Sequence, residues 1–140
     1  MIIDHVAIWT TQLERLKDYY VKYFNGTANK KYLNKENRFE SYFVSFESGT
    51  RLELMQKPGI PENLNDPVEK QYQGIIHLSF GVVSMDHVDE KMNELVDDGF
   101  KILRGPRKTG DGYWEFETLD PDNNRIEVAT IFKDKERVGL

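Results

Sequence analysis

The sequence contains no cysteine, which excludes disulfide bonds and metal sites with thiolate ligands. Any metal ion must therefore be bound by histidine, aspartate or glutamate. The chain also has no apolar run near the ~20 residues that cross a bilayer. Its first residues, MIIDHVAIW, have neither a basic start nor the small-residue cleavage site of a secretory leader. These absences predict a cytoplasmic protein that does not engage a membrane.

An excess of basic residues is absent as well. The 19 lysines and arginines against 24 aspartates and glutamates give a formal net charge of −5. Such a chain has no strongly basic surface with which to bind a nucleic-acid backbone. Its 140 residues are enough for one domain with a pocket, or for two small modules sharing a core. We therefore expect a small-molecule partner and no nucleic acid.

The first half of the chain predicts a strand, a helix and then further strands. The apolar residues of the predicted helix recur at helical spacing: Leu13, Leu16, Tyr20 and Phe24. We expect Thr10 or Thr11 to cap this helix at its start and Gly26 to end it. The predicted strands cover residues 2–9, 29–33, 40–47 and 50–56.

The second half repeats the same order of elements. IIHLSFGVV predicts a strand, SMDHVDEKMNELVDDG a helix capped by Ser84, FKILRGPRK a strand, and YWEFETLDPDNNRIEVATIF a hairpin. TRLELMQ of the first half corresponds to NRIEVAT of the second, and a connector rich in proline and asparagine separates the halves. This internal duplication predicts module one at 1–57, the connector at 58–73, module two at 74–133 and a C-terminal tail at 134–140.

Strand alternation places two histidines and two glutamates on comparable faces. Successive side chains of a strand point to opposite faces. His5 and Glu53 in the first half, like His77 and Glu127 in the second, therefore lie on the face that the helix of their own half does not cover. The apolar residues expected on the helix side are Val6, Ile8, Leu52, Leu54, Ile76, Leu78, Phe80, Ile126 and Val128.

Two neutral imidazoles and two carboxylates are suitable ligands for a divalent metal ion with open positions for water or substrate. A single histidine in an apolar strand is more often a core residue, and a single glutamate usually faces solvent. The repetition at matched positions favours the metal site of His5, Glu53, His77 and Glu127. Imidazole and carboxylate ligands suit nickel, zinc, cobalt, manganese or iron, and of these we expect nickel or zinc.

These residues and their order resemble the vicinal oxygen chelate superfamily, which includes glyoxalase I, extradiol dioxygenases, methylmalonyl-CoA epimerase, fosfomycin-resistance enzymes and bleomycin-binding proteins. The segment FETLDPDNNRIEVA is similar to the family's DPDGN.IEL ending, with Asn124 where glycine or asparagine is common. The resemblance implies a single glyoxalase-like domain over 1–140. Its class would be α+β, with two tandem βαβββ modules forming a cupped, mostly antiparallel sheet and helices on the outer face.

The similarity to glyoxalase I of the bacterial type implies a ligand set of His5, Glu53, His77 and Glu127. It further implies a metal-dependent lyase or isomerase that converts a thiol hemithioacetal through an enediolate. Glu127 would remove and return the proton, and Glu53 would be a ligand or a second proton carrier. The family also implies a homodimer. No set of thiol-binding residues is matched, which leaves the substrate open.

Two alternatives remain on the same scaffold. One is a dioxygenase or epimerase, and the other is a metal-free protein that binds a drug or metabolite, as bleomycin-resistance proteins do. Four residues are candidates for apolar walls of a cavity, or else ordinary core aromatics and apolar residues: Trp9, Phe43, Met55 and Trp114. Three cations on a predicted glycine-rich loop would clamp a substrate anion or simply be solvated: Arg104, Arg107 and Lys108. The third histidine, His87, is expected to lie outside the site.

Overall fold

The computed structural model describes residues 1–66 and 68–134, which form two helices and nine strands. The chain divides into two compact units, Met1–Leu64 and Asn65–Leu140, and their boundary falls inside the predicted connector. Of the predicted tail, residues 135–140 lie outside the described residues. Neither of the helices in the described part of the chain is long and apolar enough to cross a membrane.

Unit Met1–Leu64 consists of one helix and a five-stranded sheet. Its elements are β1 (His5–Trp9), α1 (Leu13–Phe24), β2 (Thr27–Ala28), β3 (Tyr32–Asn34), β4 (Phe39–Ser45) and β5 (Arg51–Gln56). The strand order is β1-β5-β4-β2, with β3 also pairing with β4. β1 runs parallel to β5, whereas the other pairs are antiparallel. The first strand begins at His5, later than the sequence predicts.

The single strand predicted over 29–33 is replaced by two shorter strands: β2 ends just before this segment, and β3 includes only its last two residues. Asn29 interrupts the pairing with β4. Its side-chain Oδ1 accepts a hydrogen bond from the Phe43 N–H at 2.9 Å, while its own N–H donates to the Phe43 carbonyl at 3.0 Å. A side chain thus replaces one backbone acceptor of the ladder.

Helix α1 packs against β4 and β5 through the apolar stripe that the sequence predicts. The buried residues of α1 are Leu13, Leu16, Tyr19, Tyr20 and Tyr23. On the sheet they meet Val44, Leu52 and Leu54, all of which are buried. The alternation along β5 therefore leaves its odd-numbered residues on the opposite side. We call this side of each sheet the helix-distal face, because the helix of the same unit does not cover it.

The predicted caps of α1 are wrong by one or two residues. The N-cap is Gln12, and the Thr10 hydroxyl accepts a hydrogen bond from the Gln12 N–H at 2.9 Å, ahead of the helix. The first helical N–H, that of Leu13, donates instead to Gln56 Oε1 on β5, a partner distant in sequence. At the other end Asn25, with φ 54°, is the C-cap in the left-handed conformation, which asparagine tolerates.

Unit Asn65–Leu140 repeats the order strand, helix, strands. Its elements are β6 (His77–Gly81), α2 (Met85–Asp97), β7 (Ile102–Lys108), β8 (Tyr113–Leu119) and β9 (Arg125–Ile131). The strand order is β6-β9-β8-β7, with β6 parallel to β9 and the other pairs antiparallel. The predicted cap of α2 is confirmed, since the Ser84 hydroxyl accepts a hydrogen bond from the His87 N–H.

Helix α2 covers the even-numbered residues of β8 and β9. The buried residues of this core are Met85, Val88, Leu95, Phe116, Ile126 and Val128. Both units therefore have a parallel pair formed by their first and last strands, with antiparallel strands beside it. The predicted α+β class and the repeated order of strand, helix and strands are confirmed, although four strands rather than three follow the helix in unit Met1–Leu64.

Candidate functional site

The first candidate pair lies on neighbouring parallel strands of unit Met1–Leu64. In the register of β1 on β5, Ala7 lies opposite Glu53 and His5 lies opposite Arg51. His5 Nε2 is 3.6 Å from Glu53 Oε2, and the two side chains are 39% and 20% exposed. The structure therefore brings His5 and Glu53 together on the helix-distal face, as strand alternation predicts.

Asp4 orients the imidazole of His5 from the other side of the ring. Asp4 Oδ2 lies 2.7 Å from His5 Nδ1 and accepts a hydrogen bond from Arg51 Nη2. The hydrogen bonds with His5 and then Arg51 hold the pKa of Asp4 below its usual value. The Nδ1–H tautomer of His5 would donate to this carboxylate and leave the lone pair of Nε2 on the side of Glu53, which is the arrangement that a metal ligand requires.

Phe43 closes one side of this pair. Its ring meets the His5 ring edge to face, with a centroid distance of 5.4 Å. The guanidinium carbon of Arg51 lies 4.3 Å from the centre of the same ring. Phe43 therefore lies on the helix-distal face as an apolar wall beside His5, where the sequence places it as one alternative.

The second candidate pair repeats this arrangement in unit Asn65–Leu140. Ser79 of β6 lies opposite Glu127 of β9, and His77 lies opposite Arg125. His77 Nε2 is 3.8 Å from Glu127 Oε2, with side-chain exposures of 34% and 15%. The Ser79 hydroxyl donates a 2.6 Å hydrogen bond to Glu127 Oε1. One carboxylate oxygen is thus fixed by serine while the other faces the histidine.

Glu117 of β8 is a second acidic residue and a third possible ligand at this pair, and it is not among the residues predicted from the sequence. Ligand atoms of His77, Glu117 and Glu127 all lie within 4.8 Å of one another. Both oxygens of Glu117 are already used, however, since Oε1 accepts from Arg104 at 2.6 Å and Oε2 from Arg125 at 2.8 Å. Each carboxylate oxygen has a second lone pair, so Glu117 could still bind a metal ion while it keeps both arginines.

Opposing influences determine the ionisation of Glu117. Burial would raise the pKa of this carboxyl, but the hydrogen bond from Arg104 and the charges of Arg104, Arg125 and His77 outweigh it. The pKa of Glu117 therefore lies below its usual value, so that the side chain is a carboxylate at neutral pH. As a buried anion between two guanidinium groups, Glu117 fixes the arginines that flank the His77–Glu127 pair.

The neighbouring Glu115 behaves in the opposite way. Burial and its contact with the Glu127 carboxyl raise the pKa of Glu115, although Arg107 Nη2 donates a 2.9 Å hydrogen bond to its Oε1. Two carboxyls that share one face disfavour a second negative charge. The helix-distal face of β8 therefore carries one acid held ionised, Glu117, and one whose ionisation is disfavoured, Glu115.

The basic residues expected on a loop lie instead in strand β7, so the loop prediction is wrong. Arg104, Arg107 and Lys108 all belong to β7. Arg104 pairs with Glu117 and Arg107 with Glu115, both directly across the strands. Rather than projecting freely as an anion clamp, the two arginines balance the acidic residues of the same face.

Gly105 allows these two arginines to face the same side. Residues three apart in a regular strand point to opposite faces, but the register of β7 on β8 shifts between Arg104 and Arg107. Gly105 has φ 94°, and a Cβ there would lie 2.6 Å from the Glu115 carbonyl and 2.8 Å from Phe116 Cα. Only glycine permits this conformation and this close approach of the strands.

The proposed cavity role of Trp114 is also wrong. Its Nε1 donates a 2.8 Å hydrogen bond to Asp89 Oδ1 on α2, which places the ring on the helix side of β8. Trp9 lies on the helix-distal face, because it is an even number of positions from His5 along β1, and it is 40% exposed. Met55 likewise shares the parity of Glu53 and is half-buried. His87 lies on α2, away from the strands that carry the two pairs.

The geometry of each His–Glu pair fits the ligand shell of a divalent metal ion. Two ligands that are each about 2.0–2.2 Å from one metal lie about 3.0–3.5 Å apart at tetrahedral or octahedral angles. The nitrogen-to-oxygen separations of 3.6 Å and 3.8 Å come within a few tenths of an ångström of that range. They are too long for hydrogen bonds, so the facing atoms remain available to an ion.

The sequence matches the Glyoxalase/Bleomycin resistance protein/Dioxygenase superfamily over residues 2–128. No curated protein matches the chain.

Three solved structures illustrate its structural relatives. A glyoxalase/bleomycin resistance protein/dioxygenase domain from Frankia sp. EAN1pec has a TM-score of 0.76 at 19% identity, covering 94% of this chain and 98% of its own. A glyoxalase family protein from Enterococcus faecalis has a TM-score of 0.73 at 22% identity, with coverages of 92% and 97%. The trypanothione-dependent glyoxalase I of Leishmania major has a TM-score of 0.70 at 19% identity, with coverages of 97% and 89%. At these identities the likeness establishes the fold alone.

Proposed function

Because this chain belongs to the Glyoxalase/Bleomycin resistance protein/Dioxygenase superfamily, we propose that it is a metal-dependent isomerase or lyase of the glyoxalase I type. Its substrate would carry two adjacent oxygens, as in the hemithioacetal of a thiol and a 2-oxoaldehyde. We propose His5, Glu53, His77 and Glu127 as the metal ligands. The metal would be nickel or zinc, with cobalt, manganese or iron as other ions that suit these ligands.

The observation that supports this proposal is the repetition of the same pair in both units. Each unit places a histidine of its first strand beside a glutamate of its last strand, on the helix-distal face. The facing atoms are separated by 3.6 Å in one pair and 3.8 Å in the other. A structural histidine would need no such carboxylate at the matched position, whereas a metal site needs several ligands of these types.

The bound metal would polarise the substrate carbonyl and increase the acidity of the adjacent C–H bond. Glu127 is the proposed base, since its Oε2 is not held by the Ser79 hydrogen bond and lies 3.8 Å from His77 Nε2. It takes the proton from the carbon that carries the sulfur and the hydroxyl group, and returns it to the neighbouring carbonyl carbon. The proton of the hydroxyl group moves to the oxygen of the former ketone, so that the hydroxyl carbon becomes a thioester carbonyl and the ketone carbon becomes an alcohol. Glu53 would remain a ligand or act as a second proton carrier.

An activity assay with defined metals tests this function. The protein is stripped with EDTA, reloaded with Ni²⁺ or Zn²⁺, and given hemithioacetals of methylglyoxal with glutathione and with other low-molecular-weight thiols. Thioester formation is followed by ultraviolet absorbance. We expect metal-dependent turnover that Glu127→Gln lowers by at least about 10²-fold, as loss of a general base does.

A matched histidine control separates the site from the fold in this assay. His87→Ala removes the only other histidine of the chain and should leave the activity unchanged. Metal-dependent turnover with the same rate in wild type and Glu127→Gln would contradict the assigned role of Glu127. Absence of turnover with every metal and thiol, by a protein that binds metal, would contradict the proposed reaction.

A further inference from the structure

A second feature, a cavity of about 550 Å³, lies within unit Met1–Leu64. The hairpin between β3 and β4 forms one wall, and the chain that follows β5 forms another. Its apolar lining comes from Leu33, Phe39 and Pro58, and its cationic lining from Lys35, Arg38 and Lys57. This volume lies within the range of small-molecule sites, which combine apolar walls with a few polar groups. The cavity is open to solvent, since most of the residues named here are exposed: Leu33, Lys35, Arg38, Lys57 and Pro58.

The three cations of this cavity have no carboxylate partner among the residues that the structure describes. Glu40, an acidic residue of the lining, pairs with Lys31 at 3.4 Å. Four arginines elsewhere in the chain are each paired with a carboxylate: Arg51, Arg104, Arg107 and Arg125. In a chain of net charge −5, the cavity is thus a local concentration of uncompensated positive charge.

The turn that carries two of these cations is held by side-chain hydrogen bonds. Asn34 Oδ1 accepts from the Glu36 N–H at 3.1 Å, and Asn37 Oδ1 accepts from the Phe39 N–H at 3.2 Å. Arg38, which the second of these hydrogen bonds spans, is in the left-handed region with φ 53°, a conformation that arginine rarely adopts. An ordered turn presents its cations to a ligand with less loss of conformational entropy than a free loop.

An aromatic wall adjoins the cationic side of the cavity. The rings of Trp9 and Phe39 meet edge to face with a centroid distance of 6.0 Å. Lys57 Nζ lies 5.3 Å from the centre of the Trp9 ring. Any ligand that displaces Lys57 or stacks on Phe39 must therefore change the environment of the Trp9 indole.

We propose that this cavity is a binding site for a small organic anion, whose carboxylate meets Lys35, Arg38 and Lys57 while its apolar body lies along Leu33 and Phe39. The positive charge selects the anionic end, and the apolar lining selects the body. The site uses none of the four residues proposed as metal ligands. The proposed anion site can therefore be tested independently of the proposed metal chemistry.

Nuclear magnetic resonance of the ¹⁵N-labelled, EDTA-treated protein tests the proposal with 4-phenylbutyrate as the probe. The chain has two tryptophans, so its two indole N–H signals provide a reporter, Trp9, and an internal reference, Trp114. We expect a saturable shift of the Trp9 signal and no shift of the Trp114 signal. The neutral analogue 4-phenylbutyramide should bind at least about tenfold more weakly, because it lacks the charge-assisted hydrogen bonds.

A double variant identifies the cations involved. Lys35→Gln with Arg38→Asn removes two positive charges, and asparagine tolerates the left-handed conformation of position 38 better than arginine does. We expect the dissociation constant for 4-phenylbutyrate to rise at least about tenfold. The control, Lys30→Gln with Lys101→Gln, makes the same change of net charge at exposed lysines and should retain the wild-type constant.

Three results would contradict the proposed binding site. They are a Trp9 signal that does not respond to the probe, equal binding of acid and amide, and equal binding by the wild type and the Lys35→Gln/Arg38→Asn variant. Because the measurement uses metal-free protein and no turnover, a failure here leaves the proposed function intact. Conversely, a protein without metal-dependent activity would still show the expected shifts if the anion site exists.

Discussion

The Ser79 hydroxyl donates a 2.6 Å hydrogen bond to Glu127 Oε1, whereas the residue in the same position opposite Glu53 is Ala7. The two His–Glu pairs therefore share the same strand register, but only Glu127 receives a hydrogen bond from the residue opposite it. Glu127 has one oxygen fixed and the other facing His77, which suits a group that must keep one orientation while it exchanges a proton. This difference favours Glu127 rather than Glu53 as the base.

Ser79→Ala tests this support directly, because it reproduces the residue that the first unit uses. We expect the variant to fold normally and to lose about 10–100-fold in metal affinity or turnover, as is usual when a partner that orients a ligand is removed. Ser45→Ala, on a strand that carries neither pair, provides a matched serine control. Wild-type affinity and turnover in Ser79→Ala would show that the hydrogen bond has no functional role.

Glu117→Gln is expected to destabilise the protein by about 2–4 kcal/mol, because it leaves the buried Arg125 without its carboxylate. The pKa of Glu117 is lowered in the folded state, so its contribution to stability is present at neutral pH and is lost as the pH falls through the folded pKa. The difference in unfolding free energy between wild type and variant should therefore shrink below about pH 4.5, the usual pKa of a glutamate. Urea unfolding of both proteins at a series of pH values from 7 to 3 measures this difference.

The control for this variant is Glu94→Gln. Glu94 forms an ion pair with Lys91 on the exposed side of α2, and such surface pairs contribute about 0–1 kcal/mol. If Glu117→Gln changed the stability no more than Glu94→Gln did, the buried network would not be the stabilising element that its geometry indicates.

Glu115→Gln should increase the stability of the folded protein, whereas Glu117→Gln should decrease it. The folded state raises the pKa of Glu115, so keeping this carboxyl ionised at neutral pH opposes folding. We expect the metal-free variant to be more stable than the wild type by about 0.5–1 kcal/mol at pH 7.5, the scale of like-charge pairs between strands. The gain should disappear as the pH falls and Glu115 binds its proton. A loss of stability at pH 7.5 would mean that the ion pair with Arg107 dominates instead.

Gly105→Ala should be severely destabilising, by about 3 kcal/mol or more, since the new Cβ would overlap the backbone of β8 and φ 94° disfavours alanine. Gly110→Ala is the control, because a Cβ at Gly110 would meet no atom within 4 Å and the φ of this residue is not in the left-handed region. Thermal unfolding compares the two variants. Similar melting temperatures would show that the β7–β8 irregularity is easily rearranged.

Strand alternation predicts the positions of both His–Glu pairs because it depends only on local geometry. Leu52 and Leu54 are buried against α1, so Glu53 between them must point the other way. Glu127 likewise points away from α2, because its neighbours Ile126 and Val128 are buried against that helix. Two residues of the repeat thus follow from periodicity alone.

The acidic residues of β8 could have been found by the same argument. In YWEFETL, Phe116 and Thr118 are buried on the helix side, which leaves Glu115 and Glu117 on the face of Glu127. Applying alternation to this segment also places Trp114 on the helix side, where its hydrogen bond to Asp89 confirms it.

Other features depend on contacts between distant segments and are not visible locally. The shift of β7 on β8 requires the close approach at Gly105, and the partner of the first N–H of α1 is a glutamine on β5. Thr10 and Thr11 have the composition of helix caps, but the cap position is taken by Gln12. Local propensity is overridden where tertiary contacts satisfy the same backbone groups.

Calorimetric titration of the EDTA-treated protein with Ni²⁺ and Zn²⁺ tests the central claim most directly. We predict saturable binding by the wild type and by His87→Ala. His5→Ala/Glu53→Gln and His77→Ala/Glu127→Gln, each checked for folding by circular dichroism, should lose at least about tenfold in affinity. Wild-type affinity in both folded double variants, or no binding of either ion by the wild type, would contradict the assignment of these four residues as metal ligands.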